Sequence, residues 1–328
     1  MRAAIYEGKG GTEVIAFADV AAPQPGTDEA LVAVAYAGLN RADVLERMGR
    51  YPVAPANPAV PGLEFSGIVR EVGTGVTSVA PGDRVCGLVA AGAHAELLVA
   101  DARTLTRVPH NVTLREAAAL PEAFQTAYDA LYVRGRFAPG KSVLVHAVGS
   151  SVGLAGIALA KAGGARIVIG TSRTAAKLER AKPHGLDATA LLDEGWVAAV
   201  RAASPGGIDC VLDFLGGPAL NDNVAVLAVQ GYIVQIGSLG GTRADFELGP
   251  FMAKRATLVG TVLRSRPIAE KIELANAFAE HVMPQVAAGK LHAEIDRVLP
   301  LAALAEAHQI MEANANFGKI VLQVSGEN

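Results

Sequence analysis

The sequence is poor in cysteine, with only Cys86 and Cys210. Two thiols cannot build a disulfide framework or a four-thiolate zinc site. Both sit in apolar runs and read as reduced core residues. Metal-binding spacing is absent too: the seven histidines form no His-x-x-His or His-Glu-x-x-His pattern, which excludes the usual helical zinc site. His146 reads as a hydrogen-bonded core residue, whereas His94, His110, His184, His281, His292 and His308 read as turn or surface residues. An excess of either charge is lacking. The formal net charge of −3 provides no basic field for nucleic acid or a membrane surface. MRAAIYEGKGG lacks the apolar core of a signal peptide. The small-residue region 143–170 is broken by His146, Lys161 and several glycines, so it is no membrane span. A cytoplasmic protein is the simplest reading. Hydrophobic residues make up 51% and charged ones 19%, which favours a globular chain over a disordered one. Its 328 residues make two domains the default expectation.

What the chain does have is a strand–turn–helix–strand pattern over 141–173, KSVLVHAVGSSVGLAGIALAKAGGARIVIGTSR. Residues 142–147 have the length and composition of a buried strand. A small-residue turn, Val148 to Gly153, follows. Leu154, Ile157, Ala158 and Lys161 then keep helical spacing, and Gly163-Gly164 stops the helix. Residues 166–170 form a second apolar strand. Such a βαβ unit crosses over right-handed. Its turn places unpaired backbone N–H groups and a positive dipole end where a pyrophosphate can sit. The glycine pattern is imperfect, with Val148, Ser150 and Gly153 at the GxGxxG spacing. A tight turn without a nucleotide is the competing reading.

Residues 1–120 read as an antiparallel β domain, with strand-like runs punctuated by Gly, Pro and Asp. A helix begins near Asn40 and ends before Gly49; another covers 113–119, opened by a Thr113/Glu116 capping box. Phe124, Ala127, Tyr128 and Leu131 form a helical stripe over 121–138. After 173 come a helix over 174–182, strands at 208–216, 232–238 and 257–263, and a helix over 219–229. This alternation predicts a parallel sheet covered by helices on both faces. A long helix over 268–288 leads to HAEIDRVLPL, the helix LAEAHQIMEA and the strand GKIVLQV. The expected fold class is α/β, a doubly wound sheet over 124–264 inserted in a β-rich domain made of 1–123 plus 265–328.

A site for NAD usually carries an acid at the end of the second strand. Nineteen positions separate Gly153 from Ser172, near the usual spacing of roughly 20. That strand ends in Gly170-Thr171-Ser172-Arg173, with Lys177 one helical turn on and no Asp or Glu. A hydroxyl and two cations suit a 2′-phosphate, so NADPH is expected over NADH. Solvated surface charge is the bland reading of Arg173 and Lys177. A hydrolase elbow is disfavoured, because Gly149-Ser150-Ser151-Val152-Gly153 centres no serine between alternate glycines. Glu122 reads as a helix-start charge. Asn40 and Tyr51 lie in Gly/Pro-rich loop regions, where site residues concentrate, although the residues themselves favour a structural role for each over a functional one.

The order of parts resembles the medium-chain dehydrogenase/reductase superfamily, a GroES-like β domain with an inserted Rossmann domain. The resemblance covers nearly the full length and is strongest to the zinc-free quinone oxidoreductases, in their stress-inducible branch. It rests on LNRADVLERMGRYP (39–52), PGLEFSGIV (61–69), LPEAFQTAYDAL (120–131), VLVHAVGSSVG (143–153), LVGTVLRSR (258–266) and EAHQIMEANANFGKIVL (306–322). Zinc-dependent relatives carry Cys where this chain has Asn40 and His where it has Leu63; their four-cysteine structural loop is missing. The resemblance therefore implies a zinc-independent enzyme.

Residue by residue, it implies that Asn40 and Tyr51 are substrate-pocket residues beside the nicotinamide and that Thr126 neighbours that ring. Ser150, Ser151, Val152 and Gly153 become the pyrophosphate turn. Ser172, Arg173 and Lys177 meet the 2′-phosphate. Leu215, Gly237, Ser238 and Leu263 line the cofactor cleft, with Gly318 and Lys319 from the returning segment. Two departures stand out: Leu192 where relatives often stack a Tyr near the adenosine, and the serine-rich turn. The implied activity is NADPH-dependent hydride transfer to a quinone or a related conjugated carbonyl. Reduction of the C=C bond of enones or enals is an alternative within enzymes. A structural or RNA-binding role, known for some zinc-free relatives, is the alternative outside them; the net charge of −3 weighs against RNA. A homodimer is expected, built on the apolar strand GYIVQIG at 231–237.

Overall fold

Val143, Leu144 and Val145 have no exposed surface, as an apolar run covered on both faces must. A computed structural model describes residues 1–51 and 60–326; Pro52, which ends the first family-like stretch, lies outside them. The chain divides into two compact units, Met1–Gln125 with Leu263–Asn328, and Thr126–Val262.

In the second unit the strands are β1 (Ser142–Val145), β2 (Ile167–Ser172), β3 (Ala188–Leu191), β4 (Ile208–Asp213), β5 (Leu227–Gln235) and β6 (Thr257–Gly260). They form one parallel sheet in the order β3-β2-β1-β4-β5-β6. The helices Ser151–Ala162, Ala175–Ala181, Trp196–Ala203, Leu220–Val226 and Leu248–Ala253 connect successive strands. This is the doubly wound Rossmann order. Its connections reverse direction between β1 and β4, and ligands of such sheets bind outside the carboxyl ends of the strands at that point. The first helix lies close to the sheet because Gly156 has no side chain; a Cβ there would stand 2.8 Å from Leu212 Cδ1. Leu144, Ile169, Val211, Ile233 and Trp196 share the core, and each large apolar side chain buried there stabilises the unit by about 1.5–3 kcal/mol.

Two sequence expectations are corrected here. The helix expected over 219–229 stops at Val226, and Leu227 already begins β5. The strand GYIVQIG is internal rather than an edge, because β4 and β6 flank it. The edge strand on that side is β6, whose residues alternate between half-buried and exposed; β3 is the edge on the other side.

The first unit is built on the strand Glu29–Leu39, which pairs antiparallel with Glu64–Val72, Leu97–Asp101 and Lys319–Gln323. Arg84–Leu88, Thr106–Arg107 and Ile295–Pro300 complete seven strands, and only Ile295–Pro300 with Lys319–Gln323 is parallel. Arg2–Tyr6 and Ile15–Asp19 form a separate hairpin. Val32, Val34, Phe65, Val85, Leu304 and Ile320 fill the core. The Thr113/Glu116 capping box forms: Glu116 N donates to Thr113 Oγ1 at 3.1 Å and Thr113 N donates to Glu116 Oε2 at 2.9 Å. The helix expected over 268–288 runs through Ile268–Ala277, a wide π turn at Phe278–Val282, and Met283–Ala287. Among the described residues no helix is long and apolar enough to cross a membrane.

Candidate cofactor and substrate sites

The turn after β1 ends in a capped helix. Ser150 is extended, and its Oγ accepts the Gly153 N–H at 3.0 Å. Gly153 is required, since a Cβ there would meet Ala147 O at 2.8 Å and Ser150 Oγ at 2.9 Å. The Ser151 and Val152 N–H groups have no acceptor among the described residues, and both residues are half-buried at the helix N-terminus. Two open donors stand at the positive end of a twelve-residue helix, a chemistry suited to an anion such as a pyrophosphate. Ser150, Ser151, Val152 and Gly153 therefore stand together, although Ser150 acts through its hydroxyl as the cap.

Ser172 ends β2 and is buried, and its Oγ accepts the Thr174 N–H at 3.2 Å. Arg173 beside it is exposed, with no partner among the described residues. Lys177 follows, half-buried, on the helix Ala175–Ala181. The segment from Ser172 to Lys177 carries no carboxylate.

The other strand ends complete the rim. Asp213 closes β4, and its Oδ1 accepts from Leu215 N at 2.6 Å and Gly216 N at 3.3 Å. Gly237 and Ser238 follow β5, and together with Gln235, Ile236, Gly260, Thr261 and Val262 they line a groove of about 400 Å³. Thr126 is buried near the start of this unit. In the π turn after it, Asp129 accepts the Thr261 hydroxyl at 2.6 Å, so the helix that carries Thr126 is tied to the loop after β6. Asp129 and Asp213 escaped sequence reading. The available signal was an acid in an otherwise apolar helix stripe or strand.

In the first unit the register decides what meets. Gly38 pairs with Glu64 and Leu39 with Ile320, which brings Asn40, Glu64 and Lys319 to one place. All three are buried. Lys319 Nζ donates to Asn40 Oδ1 at 2.7 Å and to Glu64 Oε1. Asn40 Nδ2 donates to Glu64 Oε1 at 3.0 Å and Gly38 O at 3.3 Å, and Glu64 Oε2 accepts the Glu122 N–H at 2.9 Å. The Asn40 backbone N–H reaches Asp43 Oδ2 at 2.7 Å, closing a second capping box. Every amide hydrogen of Asn40 is thus engaged within this unit, as is the Lys319 ammonium. Glu64 was missed by sequence reading although it stands in the quoted PGLEFSGIV; an acid between Leu63 and Phe65 was its only mark. Gly318 precedes Lys319 with φ +90°, where a Cβ would meet Glu294 O at 2.4 Å. Leu263, the first residue of the returning segment, is buried.

Tyr51 is half-buried, and its ring lies 5.3 Å from the Arg264 guanidinium carbon. Arg264 is held by Glu46 through two bonds of 2.9 Å and by Ala90 O at 2.7 Å. Burial, reinforced by Glu122, pushes the phenol up to about 12 against the pull of Arg264. Tyr51 is therefore a neutral hydrogen-bond donor at neutral pH. Its hydroxyl has no partner among the described residues.

The donors do not fit a zinc ion. Position 40 offers an amide already facing an ammonium, and position 63 an alkyl chain. Two histidines read as surface residues are instead fully buried, His94 and His308. His308 Nε2 stands 3.5 Å from Tyr6 Oη.

Comparison with known proteins identifies relatives of both units. The family model for zinc-binding dehydrogenases matches residues 151–280, and that for the alcohol dehydrogenase GroES-like domain matches residues 26–110. Quinone oxidoreductase-like protein 2 of Mus musculus is 36% identical over 242 residues, covering 73% of this chain and 69% of that protein. The fold matches a solved NAD-dependent alcohol dehydrogenase with a TM-score of 0.88 and 32% identity over 99% of this chain and 100% of that one. It matches quinone oxidoreductase of Escherichia coli, solved with NADPH, with a TM-score of 0.87 and 26% identity over 99% and 100% of the two chains. The chain belongs to the medium-chain dehydrogenase/reductase superfamily and is an oxidoreductase related to the quinone oxidoreductases.

Proposed function

We propose that this chain is an NADPH-dependent, zinc-independent oxidoreductase that reduces quinones. The observation that supports it best is the pair of open N–H groups at Ser151 and Val152, combined with a β2 end that carries Ser172 and Arg173 and no acid. The backbone of the turn holds the pyrophosphate, and the Ser172 hydroxyl, Arg173 and Lys177 hold the 2′-phosphate. Within Thr126–Val262, Thr126, Leu215, Gly237 and Ser238 complete the cofactor's surroundings. When bound, the nicotinamide supplies the hydride.

The remaining work falls to side chains. The neutral Tyr51 phenol donates a hydrogen bond to the substrate carbonyl. Asn40 has no amide hydrogen left for that task and serves the pocket by holding its wall with Glu64 and Lys319. A reduced quinone oxygen is a stabilised phenolate, so no strong acid is needed beside it. The same reading includes a homodimer formed along β6, an open edge on which Leu258 is 41% exposed.

Steady-state kinetics with NADPH and NADH against ortho-quinones, para-quinones and enones tests this reading. Turnover of quinones with NADPH is expected, with Arg173→Ala and Lys177→Ala lowering the NADPH/NADH ratio of kcat/KM at least tenfold. Absence of quinone turnover defeats it. A higher kcat/KM for enones assigns the chain to C=C reduction, and an unchanged cofactor ratio in both variants removes the NADPH assignment.

A further inference from the structure

His146 follows β1 and is fully buried. Its ring touches one strand and two helices. Nδ1 stands 2.6 Å from Thr171 Oγ1 at the end of β2. Nε2 stands 2.7 Å from Asn223 Oδ1 on the helix after β4. The ring edge meets Trp196, with centroids 5.4 Å apart. With the Asn223 oxygen as acceptor, Nε2 carries the proton and Nδ1 accepts the Thr171 hydroxyl. Burial holds the imidazole below its ordinary value against the opposing charge of Asp213, so the ring is neutral.

Thr171 is clamped twice: its carbonyl also accepts the Val148 N–H, at 3.1 Å. Both clamps come from the segment that leads into the phosphate turn. Thr171 in turn leads directly into Ser172 and Arg173. None of these bonds is needed to pair β1 with β2, which are joined from Ser142 with Ile167 to Val145 with Gly170. The His146–Thr171 bond lies beyond that ladder, beside the Val148–Thr171 bond.

We propose that His146 is a positioning residue for cofactor choice: through Thr171 it fixes the pyrophosphate turn relative to the Ser172-Arg173 end, and so sets the preference for a 2′-phosphorylated nucleotide. This rests on the NADPH reading given above. A nucleotide without the 2′-phosphate draws its charged contacts from the turn alone. One with it needs turn and strand end in register together, and a preorganised pair of contacts loses most when their spacing loosens.

The test measures dissociation constants of NADP⁺ and NAD⁺ by calorimetry on the full chain, with Trp196, the single tryptophan, as a fluorescent reporter beside the His146 ring. Thr171→Val keeps the shape of the side chain and removes the hydroxyl; it is expected to lower the NADP⁺/NAD⁺ affinity ratio at least tenfold. His146→Gln retains a group for Asn223 and loses the one for Thr171, so it should lower the ratio similarly. His146→Asn retains the group for Thr171 and should keep the ratio within threefold of wild type. A merely structural role would make the two amides equivalent. A folded Thr171→Val with an unchanged ratio overturns the inference while leaving the NADPH reading intact, and so does an Asn variant as impaired as the Gln variant. A wild-type chain without preference for NADP⁺ overturns both. Failure of all three variants to fold assigns His146 to folding alone and overturns the inference.

Discussion

Lys319 is a cation with no exposed side-chain surface, facing a carboxylate in the same condition. Removing one partner of such a pair strands the other charge in a dry interior, which typically costs about 3–5 kcal/mol. Lys319→Met is therefore expected to lower unfolding free energy by roughly that amount, read from urea titration. Adding Glu64→Gln should recover much of the loss, because no charge is then left unpaired. The buried histidines act through protons. Burial, with His94 and Arg47 nearby, pushes His308 down to about 3, whereas an unfolded histidine titrates near 6.5. Between those values the unfolded chain binds the extra proton, so stability is lost as pH falls through about 6.5. Asp43, pushed up to about 8 by burial, works in the opposite direction, losing stability as pH rises through its folded value. Comparing wild type with His308→Gln separates the two. The drop in Tm from pH 7.5 to pH 5 should be smaller in the variant, and equal drops would show that His308 does not carry it.

Among the elements, the crossover helix Ser151–Ala162 depends on its cap. Ser150→Ala removes the acceptor for the Gly153 N–H and should cost about 1 kcal/mol of stability. It should leave the Ser151 and Val152 donors in place, so nucleotide binding should weaken less than stability does. Thermal melts with and without NADP⁺ check both. Elements with local signatures were legible: the Thr113/Glu116 box, the strand at 142, and the glycine stop at 163. The helix end at Val226 was not, because Val226-Leu227-Ala228-Val229 is an apolar run with no periodicity to separate helix from strand. Neither π turn left a mark, since the side-chain stripe continues through it. The turn between β1 and its helix was legible because its donors are backbone groups of one continuous segment. The Asn40–Glu64–Lys319 cluster was not, because its members lie 24 and 255 positions apart and meet only through strand register.

At the scale of the whole molecule, β6 is one of the two edge strands of the six-stranded sheet, and an exposed edge of this kind can pair with a second chain. Leu258 and Val262, 41% and 45% exposed, extend an apolar surface along it. Light scattering at micromolar concentration should give twice the 33.7 kDa chain mass, and Leu258→Lys should shift the chain towards monomer. A wild-type monomer rejects the dimer. The strand order also separates two kinds of pairing. Within Thr126–Val262 every strand finds its neighbours in one continuous stretch of chain. In the other unit the strand Glu29–Leu39 must wait for Lys319–Gln323.

That wait has a consequence during synthesis. The ribosome delivers Glu64 long before Lys319, so a carboxylate bound for a dry interior stays hydrated until the segment that carries Lys319 is made. Tyr36–Leu39 of the strand Glu29–Leu39 meanwhile stay unpaired on one edge, and an open edge recruits other chains. Nascent chains stalled before Gly318 are expected to protect residues 126–262 from protease while residues 1–51 remain cleavable. Release of the final strand then completes the sheet and neutralises the buried acid in one event.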